Sequence, residues 1–70
     1  MEHRLKEQIA ANTEYLNDCV AILQSARQEL EVAPHNRMLQ IRVAMLEASV
    51  QIMIENIDML RVQLKSFTLQ

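Results

Sequence analysis

Glycine and tryptophan are missing from this chain, and proline, cysteine, tyrosine and phenylalanine each occur once in seventy residues. Without glycine there are no phosphate-cradling loops and none of the positive-φ turns that close tight β-hairpins. One proline allows one sharp break. A single cysteine rules out an internal disulfide, and two histidines far apart in sequence, His3 and His35, offer no metal cluster. The seven basic residues are scattered among nine acidic ones, for a net charge of −2. No lysine–arginine cluster is present to neutralise a row of phosphates, which argues against nucleic acid as a ligand. No apolar run approaches the roughly 18 residues that span a bilayer. The opening Met1-Glu2-His3-Arg4-Leu5-Lys6-Glu7 lacks the apolar core of a signal peptide. The expectation is a cytoplasmic, reduced protein with no cofactor.

Half the residues are apolar, and leucine, glutamine, glutamate, alanine and methionine dominate. That is the composition of helices and coiled coils. A chain this short has a thin core, and small domains usually add disulfides, metal, oligomerisation or a partner. With the first two excluded, self-association or a protein partner remains.

The stretch from Asn36 to Leu69 carries two apolar stripes. One runs Leu39, Val43, Leu46, Val50, Met53, Ile57, Leu60, Leu64, Phe67. The other runs Met38, Ile41, Met45, Ala48, Ile52, Met59, Val62, Leu69, interrupted at Glu55 and Ser66. Both alternate spacings of three and four, the heptad of a coiled coil. At about 100° per residue they lie on nearly opposite sides of one helix, with Arg42, Ser49, Asn56 and Gln63 along one flank.

A first helix is expected over about 2–31. Its single stripe is Leu5, Ile9, Asn12, Leu16, Cys19, Leu23, Ala26, Leu30, widened by Tyr15, Val20 and Ile22, with an acidic opposite side. Pro34 ends it by about Val32, because the residue before a proline is pushed out of the helical region. A turn at about 32–36 leads to a second helix at about 36–68, with Asn36 the better candidate cap and His35 the other. So short a connection forces an antiparallel two-helix hairpin, an all-α fold in one domain.

In such a hairpin the numbers of facing residues add to a constant. Pairing Leu30 with Leu39, Ala26 with Val43, Leu23 with Leu46, Cys19 with Val50 and Leu16 with Met53 gives 69, which centres the turn on Ala33 and Pro34. Turning the other stripe inward would set Leu16 against Glu55 and bury an unpaired carboxylate at a cost of several kcal/mol. The Leu39–Phe67 stripe is therefore the internal seam, and the Met38–Leu69 stripe faces outward. Asn12, opposite Ile57, reads as a polar seam residue that fixes register, with Asn56 as a possible mate.

No catalytic constellation is visible. His3 and His35 sit near opposite ends of a helix roughly 45 Å long. Cys19 lies on the seam without a basic neighbour to stabilise a thiolate. Glu14 and Asp18, one turn apart, have no third ligand or apolar pocket. The feature without a structural use is the outward stripe. Met38, Ile41, Met45, Ala48, Ile52, Met59, Val62 and Leu69 together would expose on the order of 500–800 Å², more than soluble monomers usually leave open. Three of the five methionines lie there, and methionine adapts well to another protein's surface. The flanks lack the lysines and aromatics of an interfacial membrane helix. The expected occupant is a heterologous partner or a second copy of the chain, as a homodimer or tetramer.

The length, the two-helix plan, Leu23-Gln24-Ser25-Ala26-Arg27-Gln28-Glu29-Leu30, Pro34, and Leu46-Glu47-Ala48 resemble the small needle co-chaperones of type III secretion systems, the YscE-like proteins. The resemblance implies a cytoplasmic helical hairpin, without catalytic residues, that binds a tetratricopeptide-like chaperone. That pair would keep the needle subunit soluble before export. The alternative is a homo-oligomeric four-helix bundle with a structural or regulatory role, such as a small RNA-binding or adaptor hairpin.

Overall fold

The computed structural model describes residues 2–68 and consists of two helices, α1 (Glu2–Val32) and α2 (Arg37–Thr68), folded back on each other. The rod they form measures 53 × 14 × 12 Å. Both helices are free of glycine and proline, α1 being rich in leucine, alanine, glutamine and glutamate and α2 in leucine, isoleucine and methionine, so neither contains a helix breaker.

The turn is built from polar bonds to the backbone. The Ala33 amide donates to the Glu29 carbonyl at 3.1 Å and carries the α1 ladder one step past Val32. Pro34 has no amide to continue it. The Asn36 amide then donates to the Ala33 carbonyl at 3.0 Å. Asn36 caps α2 as its residue type predicts: its Oδ1 accepts the Leu39 amide at 3.2 Å. The Gln40 side-chain amide reaches back to the Pro34 carbonyl at 2.8 Å and ties the turn to the new helix. No described residue has positive φ, so this connection does not need glycine.

Leu23, Ala26 and Val43 form the core, with Leu30, Leu46 and Val50 packed against them. These are the residues that the 69 register brings together. Ala26, the most buried at 2% exposure, has no side chain beyond Cβ and lets the helices approach closely near the turn. Farther along, Ile57 is also buried, while Leu5, Ile9, Leu16, Cys19, Met53, Leu60 and Leu64 are half-buried. On one edge of the seam, Arg27 Nη2 meets Glu47 Oε1 at 3.1 Å, an exposed pair bridging the helices.

Two seam expectations need correction. Asn12 does not sit in the seam; it is exposed at the rim, and Thr13 turns in to a half-buried position instead. An amide in an apolar layer would lose hydration without gaining a partner. Thr13 enters with its polar group satisfied, because its hydroxyl donates to the Ile9 carbonyl at 2.7 Å. Phe67 is 45% exposed. Its seam mate in the 69 register is the polar Glu2, so the stripe outlasts the surface available to cover it.

Candidate functional site

Hairpin formation covers one side of α2 and leaves the other open. Met38, Ile41, Met45, Ile52, Met59 and Val62 are all exposed, with Met38 highest at 74%, and Ala48 is exposed with them. Seven of the eight residues expected on the outward stripe thus share one open face. The eighth, Leu69, lies outside the described residues. The face follows from geometry, since α1 fits against only one of two stripes on opposite sides of a helix.

Near the turn the face is concave. Met38, Leu39, Ile41, Arg42, Met45, Leu46 and Ser49 line a solvent-open hollow of about 500 Å³ with mostly apolar walls. Arg42 also lines a second hollow, of about 290 Å³, with Ala21, Ile22, Ser25, Ala26 and Glu29. Arg42 therefore stands where the outer face of α2 meets the groove between the helices. Among the described residues Arg42 forms no hydrogen bond or ion pair. Glu55, the acidic interruption of the stripe, is exposed and accepts a 3.4 Å hydrogen bond from Gln51 Nε2. No described cation pairs with it.

The sequence reading missed part of this surface. Tyr15 and Ile22 were expected to widen the seam, yet they are 62% and 46% exposed, and only Val20 of that trio is half-buried. Ile22 shares a hollow with Arg42, so apolar surface on α1 adjoins the α2 face across the groove. Antiparallel geometry supplied the missing signal: seam-flanking positions on one side of α1 meet those on the same side of α2. Asn12 and Asn56 line one shallow depression with Gln8, Met59, Leu60 and Gln63, but no hydrogen bond joins the two asparagines.

The polar candidates lie apart from this face or from one another. His3 Nε2 is 3.1 Å from Glu7 Oε1 in an exposed pair one turn long, whereas His35 lies in the turn. Cys19 is half-buried and unpaired. Glu14 and Asp18 are exposed, and no group of three or more histidine, cysteine, aspartate or glutamate side chains among the described residues could hold a metal ion. No described helix is long and apolar enough to cross a membrane. Comparison with known proteins finds no family model, curated protein or solved structure that matches the chain.

Proposed function

We propose that this protein is a non-enzymatic interaction subunit that binds its partner through the outer face of α2, with Met38, Ile41, Met45, Ala48, Ile52, Met59, Val62 and Leu69 as the contact residues. The observation carrying this reading is the row of exposed apolar side chains from Met38 to Val62 on a helix whose opposite side is already used for folding. A soluble monomer gains nothing from that row, and an interface does.

The partner class follows from the resemblance drawn from Leu23–Leu30, Pro34 and Leu46-Glu47-Ala48. On that reading the chain is a cytoplasmic co-chaperone of a type III secretion system. It docks on a tetratricopeptide-like chaperone and, with it, keeps the needle subunit soluble before export. A concave helical-repeat surface suits a rod about 14 Å across with one apolar side. The test is co-purification of the chain with a tetratricopeptide-like chaperone encoded beside it, using wild type, Met45→Glu and Ile52→Glu. Capture by wild type alone, with all three chains equally helical by circular dichroism, supports the reading. Equal capture of all three moves the contact surface off α2.

A further inference from the structure

We infer, on the reading that the outer face of α2 is an interface, that the partner protein covering it carries an arginine or lysine level with Glu55, and that this ion pair selects the partner. Between Met38 and Val62, Glu55 is the one charged residue at a position of the outward stripe, in the same heptad row as Ile41, Ala48 and Val62. It is exposed, and so are Ile52 and Met59, its apolar neighbours about one turn away on either side. A surface that covers Ala48, Ile52, Met59 and Val62 therefore takes Glu55 out of water with them.

The helix itself offers Glu55 no counter-ion. Along a helix, side chains pair three or four residues apart. Those places around Glu55 hold Gln51, Ile52, Asp58 and Met59, with no cation among them and a second carboxylate at Asp58. The one hydrogen bond to Glu55 comes from the neutral Gln51 amide, at 3.4 Å. Arg61, the nearest basic residue in sequence, lies about 120° round the helix from it. No ion pair among the described residues includes Glu55.

That arrangement fixes the chemistry of the occupant. A carboxylate that loses its water without gaining a counter-ion opposes association. One that meets a guanidinium or ammonium group in apolar surroundings forms a short, charge-assisted hydrogen bond. A single carboxylate in an apolar stripe thus admits a surface with a cation at its level and rejects equally apolar surfaces without one. The methionines and isoleucines supply contact area to any apolar partner; Glu55 discriminates between them.

Isothermal titration against the tetratricopeptide-like chaperone tests the pair, using wild type, Glu55→Gln, Glu55→Lys and Met45→Glu, each checked for helicity by circular dichroism. Glu55→Gln keeps the side chain's shape and removes its charge. It should weaken binding about tenfold or more, and Glu55→Lys further still. Met45→Glu should not bind. If Met45→Glu fails to bind while Glu55→Gln matches wild type, Glu55 stays in water at the edge of the contact and the inference is overturned. Tighter binding by Glu55→Gln sets the carboxylate against an apolar surface and overturns it too. Met45→Glu binding like wild type, or no binding by wild type, removes the proposed interface itself and the ion pair with it. Sedimentation of the chain alone completes the test, because a dimer weakened by Glu55→Gln would put a second copy on this face in place of a heterologous partner.

Discussion

Val43 and Met45 stand two residues apart on α2, and both are apolar, yet Val43 keeps 8% of its surface exposed and Met45 66%. Hydrophobicity does not separate them. What separates them is that α1 can cover one stripe of α2, and the choice between stripes fell against the one containing Glu55. Burying a carboxylate without a partner costs more than leaving several methionines in water. Folding therefore consumes the Leu39–Leu64 side and leaves the Met38–Val62 side open. On the proposed reading, fold and interaction use different residues of this helix and can be changed separately.

The contrast can be broken most severely from the inside. Leu23→Ala removes a core side chain that is 5% exposed and packs beside Ala26 and Val43. It should destabilise the hairpin by about 2–5 kcal/mol, a large share of what so small a domain has. Urea unfolding followed by circular dichroism at 222 nm reads the loss. A change under about 1 kcal/mol would mean that the seam is not the main source of stability.

On the outside, Met45→Glu and Ile52→Glu should leave the helical signal intact and shift unfolding by no more than about 0.5 kcal/mol, because the new carboxylates meet water. Association through this face should weaken by at least about tenfold, since a charge in an interface core loses hydration without gaining a counter-ion. Isothermal titration with the partner, or sedimentation of the chain alone, separates the two effects. Unfolding by either substitution would erase the distinction between the faces.

Smaller effects refine where stability resides. Asn36→Ala deletes the acceptor of the Leu39 amide and should cost about 1 kcal/mol, visible as a lower thermal midpoint with association unchanged. Glu47→Gln weakens the bridge from Arg27, both side chains of which are about half exposed. Solvent screening limits that loss to less than about 0.5 kcal/mol, shrinking further as salt is added. A larger, salt-independent loss would show that the pair fixes the register.

Much of the molecule is legible in its sequence. The absence of glycine and the single proline set two helices and one break. Heptad spacing located the seam, Pro34 and the capping residue Asn36 located the turn, and Glu55 identified which stripe faces out. Each is a local property of the chain, or a pairing forced by a short connection. Tertiary packing decided the rest. It rotated Asn12 out to the rim and Thr13 in, because only the threonine hydroxyl finds a backbone carbonyl one turn away. It left Phe67 partly bare because the opposite helix starts with polar residues. It also turned Tyr15 and Ile22 outward, Ile22 into a hollow that Arg42 shares. A heptad pattern assigns a residue to a stripe. Whether a residue at the stripe's edge is covered depends on how closely the second helix approaches and how far around it the contact reaches, and those are properties of the packed pair.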